Sequence, residues 1–168
     1  VLSSHFRVAP RAPSGSQETI ETIEKAIGSL RPKWNQTSPA TSAREFSKRL
    51  EAERQRLHLQ LRLSFIQRDQ GHRSACELTL LDLLSRHPLL AVALNSLAYL
   101  WAEDGRRLDE ALVLQKRALE QEPFSGAFQD TMGWIQFRRG RIDEALRHLE
   151  FADRYQPDEP EIIEHLAE

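Results

Sequence analysis

The chain has 168 residues and a formal net charge of −2, a size that suits one or two small domains with a modest core. Leu and Ala together number 41, whereas Val and Ile together number 12. This balance favours helices over strands and argues against an all-β protein. No apolar run reaches the roughly 18 residues of a membrane span, and the first residues lack the apolar segment of a secretory signal. Because the sequence starts with Val and stops inside a predicted helix, we expect a piece of a longer protein.

Charge is distributed unevenly along the sequence. Residues 1–90 carry 14 basic and 9 acidic side chains, and residues 91–168 carry 9 basic and 16 acidic ones. Of the 23 basic residues 19 are Arg, the cation that recognises phosphate and carboxylate in bidentate geometry. Since no dense basic run occurs, solvated helix faces are favoured, and nucleic-acid binding through the Arg-rich first half is kept as the alternative.

The first third of the chain reads as an arm followed by helices. Residues 1–15 are rich in Pro, Ser and Arg and predict a flexible arm. Residues 16–56 are predicted to hold the N-terminal helices and a connection. Apolar side chains recur at helical spacing in a short first helix that Pro32 ends, namely Ile20, Ile23, Ile27 and Leu30.

A second, longer helix is predicted after a connection. Residues 31–41 form that connection and include Trp34. Ser42 and Glu45 match the S-x-x-E capping box that opens a helix, and the helical pattern continues as far as Gly71. Two apolar stripes run along it and predict a helix buried on two sides, one made of Leu57, Leu61 and Phe65 and the other of Leu59, Leu63 and Ile66.

The strongest signal is an internal repeat in the second half of the chain. Residues 93–123 and 127–157 match throughout. The matched pairs are 35 residues apart before the turn and 34 after it, because the first copy has one additional Arg in its turn. These pairs are Ala98 with Gly133, Tyr99 with Trp134, Gly105 with Gly140, Ala111 with Ala145, Ala118 with Ala152, and Pro123 with Pro157.

The spacing has a direct physical meaning. Small side chains such as Ala98, Gly133 and Ala111 let two helices approach closely. Gly105 and Gly140 can end the first helix of each pair in a left-handed conformation at little cost. The sequence therefore predicts helix pairs at 91–123 and 124–157, a degenerate copy at 57–90, and a capping or truncated repeat helix at 158–168.

These residues resemble the tetratricopeptide repeat (TPR). The resemblance implies an all-α fold in which antiparallel helix pairs stack as a right-handed α-solenoid. It also implies a non-catalytic scaffold for protein partners, with self-association left open. The phrase DTMGWIQFRRGRIDEAL is similar to a subgroup of bacterial envelope and lipoprotein-associated repeat proteins. That similarity implies an envelope or periplasmic location, with the cytoplasm as the alternative.

The first helix of each repeat lines the concave surface in the TPR family, so the resemblance implies a groove that holds a peptide or helix of a partner. An aromatic residue occupies the same register in each of the three copies. Each aromatic has one neighbour a turn before it and one a turn after it. The implied groove residues are Leu61, Phe65 and Arg68, then Asn95, Tyr99 and Ala102, then Asp130, Trp134 and Phe137. The alternative is that these rings fill the core between repeats.

Other candidate sites have a simpler structural explanation. His72 and Cys76 lie one helical turn apart, but Cys76 falls at a helix contact and is expected to act as a small apolar residue. Glu161 and His165 have metal-ligand spacing without a third ligand, so an exposed helix pair is expected. No motif for a metal or cofactor occurs, and none is predicted.

The last predicted helix opens at Pro160. Its apolar residues Ile162, Ile163 and Leu166 are expected to lie on one side and to pack on the helix that contains Leu149 and Ala152.

Overall fold

The computed structural model describes residues 17–30 and 42–168, and within these ranges the chain forms eight α-helices and no strand. The predicted all-α class is therefore confirmed. The predicted arm at 1–15 and the connection at 31–41 with Trp34 lie outside the described residues. The helices are α1 Gln17–Ser29, α2 Ala43–Asp69, α3 Arg73–Arg86, α4 Ala91–Glu103, α5 Leu108–Gln121, α6 Gly126–Arg138, α7 Ile142–Tyr155 and α8 Pro160–Ala167.

The chain divides into two compact units, Val1–Cys76 and Glu77–Glu168. In the first unit α1 packs along α2. Ile20 and Ile23 of α1 and Leu63 of α2 form a buried cluster, because the isoleucines recur on one face of α1 as predicted. The hydroxyl of Ser42 accepts a hydrogen bond from the backbone N–H of Glu45 at 3.2 Å. This bond caps α2 at the predicted position.

The second unit contains the two matched helix pairs, α4 with α5 and α6 with α7. Gly105 and Gly140 have φ angles of +63° and +74°. This is the left-handed conformation expected at the end of the first helix of each pair, where a side chain would add strain. The repeat thus places both turns at equivalent positions.

Small residues bring the paired helices into close contact. Ala98, Ala111 and Ala118 are completely buried. A methyl group added at Gly133 would lie 2.7 Å from the Cγ of Leu149 and 3.1 Å from the carbonyl oxygen of Ala145. These distances confirm the tight crossing of α6 and α7 that the repeat register predicts.

The additional residue in the first turn is accommodated by a local change of backbone. Arg107 adopts a left-handed φ of +52°, and its guanidinium carbon lies 3.9 Å from the ring centroid of Trp101. The Trp101 Nε1–H donates to Glu77 at 2.8 Å, and Arg106 donates to the same carboxylate at 2.8 Å. These bonds, led by that of Arg106, hold the pKa of Glu77 below its usual value despite partial burial. These hydrogen bonds to Glu77 attach the turn between α4 and α5 to helix α3.

Helix α8 packs on α7 and α6. Ile162 is 1% exposed, whereas Ile163 is 51% exposed. The expectation that Ile163 belongs to the packed side is therefore wrong. The buried face of α8 is formed by Ile162 and His165, because these residues are three apart and share one side of the helix.

Candidate functional site

Three of the nine proposed groove residues lie on α2 in the first unit. Leu61 is buried at 4% exposure, and Phe65 and Arg68 are half-buried. The guanidinium of Arg68 pairs with Asp69 at 3.4 Å. Of the three proposed groove residues on α2, Phe65 and Arg68 are therefore the partly accessible ones.

Two of the α4 positions have structural partners inside the second unit. Ala102 is completely buried, so it contributes packing. The Asn95 Oδ1 accepts from the Nε2 of Gln115 on α5 at 2.9 Å, and the same amide donates to the Phe128 carbonyl. Asn95 is half-buried, so part of its side chain stays accessible beside this bond.

Three of the remaining four positions contact His165 of the C-terminal helix, and the fourth, Phe137, packs beside them. The imidazole of His165 stacks on the indole of Trp134, with ring centroids 4.3 Å apart and planes 13° apart. Its Nδ1–H donates to the Oδ1 of Asp130 at 2.8 Å. Tyr99 lies 6.2 Å from the same ring, and Phe137 stacks on Trp134 at 5.3 Å. We call Tyr99, Asp130, Trp134 and His165 the His165 cluster.

The cluster is buried and contains one unused donor. Tyr99, Asp130, Trp134 and His165 are between 4% and 9% exposed. The indole N–H of Trp134 has no hydrogen-bond acceptor among residues 17–30 and 42–168. A buried donor without a partner is costly, so a polar group that reached it would be stabilised.

His165 is a residue of the candidate site that motif reasoning missed. The expectation of an exposed Glu161 and His165 pair is wrong for His165, which is buried. The register contained a signal for its burial, because α6 starts at Gly126 and α8 at Pro160, 34 residues later. His165 therefore corresponds to Thr131, which is also buried. Cys76 is buried as expected.

Burial and pairing shift the titration of the cluster. Burial raises the pKa of the Asp130 carboxyl, and the hydrogen bond from His165 opposes that shift. Burial lowers the pKa of His165, but the hydrogen bond to Asp130 and the charges of Asp130, Glu161 and Glu164 together raise it above its usual value. The folded cluster therefore binds protons more readily than the separated side chains do.

This protonation predicts weaker docking of α8 as the pH rises. A folded pKa above the unfolded one gives stability that is present at low pH and lost as the pH rises through the folded pKa. We expect the protection of residues 160–167 in hydrogen exchange, corrected for intrinsic exchange rates, to fall as the pH rises above the ordinary histidine pKa of about 6.5.

The matched variant for this prediction is His165→Gln, which should remove the part of the dependence that comes from His165 and leave the part that comes from the raised pKa of Asp130. Burial lowers the pKa of His148, so His148 makes the folded protein more stable as the pH rises. Because wild type and His165→Gln both contain His148, its contribution cancels when the two proteins are compared. Equal pH dependence of α8 protection in both proteins would contradict a role for His165.

Neither a metal centre nor a membrane helix is found in the part of the chain that the structure describes. Within residues 17–30 and 42–168 no three His, Cys, Asp or Glu side chains are grouped so that they could hold a metal ion. None of the helices in these ranges combines the length and apolar character needed to cross a bilayer.

Comparison with known sequences identifies one curated relative. No protein-family model matches the chain. A TPR repeat-containing protein of Pseudomonas aeruginosa is 39% identical over 85 residues, which is 51% of this chain. The chain spans 14% of the length of that relative.

The fold is similar to solved TPR structures. A MamA fragment from Desulfovibrio magneticus RS-1 aligns with a TM-score of 0.58 at 13% identity, covering 92% of this chain and 84% of that one. YrrB, described as a TPR protein with an unusual peptide-binding site, aligns at 0.56 and 18% identity, covering 88% and 69%. The TPR domain of P58(IPK) aligns at 0.60 and 12% identity, covering 89% and 40%. At these identities the likeness concerns the fold alone. The matched helix pairs of this chain therefore have the fold of solved TPR structures.

Proposed function

We propose that this chain is a non-catalytic scaffold in which the first helix of each repeat helps to hold a peptide or helix of a partner protein. The observation that carries the proposal is the His165 cluster. There, side chains from α4 and α6 hold a planar ring by stacking on Trp134 and by a hydrogen bond to Asp130. The repeat thus combines an apolar surface with a few polar anchors, as peptide-binding sites do.

The cluster also indicates which partner side chains would fit. A planar donor such as His or Arg can stack on an indole while donating to a carboxylate. Phe137 extends the aromatic surface beside Trp134 and is only half-buried. Phe65 and Arg68 offer a similar pairing of ring and charge on α2. YrrB, whose fold is similar, has a peptide-binding site.

Nucleic-acid binding through the Arg-rich first half is the weaker alternative. Within α2, Arg49 pairs with Glu45 at 2.6 Å, and Arg56 lies 3.9 Å from Glu53. Cations that are already paired with carboxylates attract phosphate less strongly. Among the residues that the structure describes, Arg44, Lys48 and Arg54 form no such pair, so a protein partner is favoured mainly because the first half of the sequence has no dense basic run.

The proposal can be tested by affinity capture from native extract with the full-length gene product, read by mass spectrometry. Phe137→Glu places a charge on the proposed surface, and Leu146→Glu is the matched control because Leu146 is 48% exposed on α7. We expect a protein captured by the wild type to be lost with Phe137→Glu and kept with Leu146→Glu. Thermal melts test whether both variants fold. If Phe137→Glu does not fold, the milder Phe137→Ser takes its place.

Two outcomes would overturn the proposal. If nuclease treatment removes the captured material, the ligand is a nucleic acid. If a folded Phe137→Glu or Phe137→Ser variant retains the same partner at full yield, the partner binds elsewhere on the chain.

A further inference from the structure

An exposed aromatic group lies in the second unit and includes none of the residues of the His165 cluster. The ring of Tyr155 stacks on Phe151 at 4.4 Å and on Phe124 at 6.1 Å. Phe124 is 68% exposed and Tyr155 is 50% exposed. We call Phe124, Phe151 and Tyr155 the edge aromatic cluster. The buried Ala145 and Ala152 form the packed side of α7, so the edge aromatic cluster is not needed for that core.

The backbone that carries the edge aromatic cluster is well anchored. The side-chain amide of Gln129 donates to the Pro123 carbonyl at 3.0 Å, and the Ser125 hydroxyl caps α6. The side chain of Gln156 fills the space beside Gly126, where an added methyl would lie 2.5 Å from its Oε1. An anchored apolar surface binds without a large ordering cost.

Acidic side chains surround the edge aromatic cluster in the sequence. Five carboxylates lie on the α5–α6 turn, the last turns of α7 and the residues that follow, and Arg154 is the cation among them. Within residues 17–30 and 42–168 none of the five forms an ion pair. They are Glu122, Glu150, Asp153, Asp158 and Glu159.

The chain itself carries a surface of complementary chemistry. Near the start of α2, Phe46 and Leu50 lie one turn apart and are each 61% exposed. Arg54 continues the same row one turn later, since residues four apart share a helix face. Arg44, Lys48 and Arg54 are exposed and form no ion pair within the described ranges. We call Phe46, Leu50 and Arg54 the α2 row.

We propose that the edge aromatic cluster of one molecule binds the α2 row of a second copy. Phe46 and Leu50 pack on the rings, and the unpaired cations of α2 approach the unpaired carboxylates. Each surface leaves an apolar face exposed, which is typical of an interaction site. The two halves of the sequence carry opposite net charge, with 14 basic and 9 acidic residues in 1–90 against 9 and 16 in 91–168.

Such a contact is heterologous, because different surfaces of the two copies meet. A heterologous contact leaves one surface free on each end, so it builds rings or open chains rather than closed two-fold dimers. This self-association uses neither Phe137 nor the His165 cluster. A negative result for self-association therefore does not contradict the peptide-binding proposal, and the reverse also holds.

A complementation experiment tests the geometry directly with the full chain. Phe46→Ser damages only the α2 row, and Phe124→Ser damages only the edge aromatic cluster. By sedimentation velocity we expect the wild type to associate with rising concentration and each variant alone to associate about tenfold more weakly or worse. An equimolar mixture should regain association but stop at the dimer, because each variant retains one intact surface.

Two further measurements complete the test. Val113→Ser replaces a 56% exposed apolar residue of α5 and should leave association unchanged. Raising the salt concentration to about 0.5 M should weaken wild-type association, since screened charges attract less. A wild type that stays monomeric at all concentrations, or a mixture no more associated than its components, would overturn the proposal. So would a folded Phe124→Ser variant that associates as the wild type does, because another surface would then be responsible.

Discussion

Replacing Gly133 with Leu should lower the free energy of unfolding of the second unit by about 3 kcal/mol or more. A single methyl at this position would lie 2.7 Å from Leu149 Cγ and 3.1 Å from the Ala145 carbonyl oxygen. The Leu149 side chain can rotate, but the backbone oxygen of α7 cannot move without separating the two helices. Denaturant melts followed by circular dichroism measure the loss.

One single variant and one double variant serve as controls for this effect. A methyl group added at Gly28 on α1 would have no atom within 4 Å, so Gly28→Ala should stabilise by up to about 1 kcal/mol through helix propensity. Combining Gly133→Ala with Leu149→Ala should cost less than the sum of the two, because the smaller side chain at position 149 leaves room for the methyl. A Gly133→Leu protein that melts like the wild type would contradict the close crossing of α6 and α7.

The repeat register made most of the second unit predictable. Matching Gly133 to Ala98, and Ala145 to Ala111, locates the helix contacts from the sequence alone, since small residues at fixed spacing have few other uses in paired helices. Gly105 and Gly140 mark both turns, because glycine ends a helix in the left-handed conformation at little cost. The left-handed Arg107 was not predicted, because an insertion in a turn leaves open which residue takes the unusual backbone conformation.

The candidate site was less predictable because its contacts are tertiary. The pattern placed Asp130 and Trp134 on one face of α6, but it left open whether a partner or another helix of the chain covers them. The pattern placed Ile162, Ile163 and Leu166 on one side of α8, whereas the buried face carries Ile162 and His165, and His165 pairs with Asp130. A motif search for catalysis or metal binding does not detect such a pair, and the 34-residue register, which aligns His165 with the buried Thr131, indicates only that His165 is buried.

Replacing Ile162 with Asp should release α8 from the second unit. Ile162 is 1% exposed, and burying an unpaired carboxylate there costs several kcal/mol. An eight-residue helix has too few contacts to offset this cost, so α8 detaches and the charge remains in water. We expect residues 160–167 to lose nearly all protection in segment-resolved hydrogen exchange.

The matched variant is Ile163→Asp, which changes a residue that is 51% exposed on the same helix and should leave that protection nearly unchanged. Because repeat arrays are stabilised mainly by contacts between neighbours, Ile162→Asp should weaken α6 and α7 moderately and leave α4 and α5 close to wild type. Such a gradient along the chain is the signature of stacked repeats. Equal loss of protection in α4, α5, α6 and α7 would show that the second unit unfolds as one cooperative body, and equal effects of the two variants would contradict the buried position of Ile162.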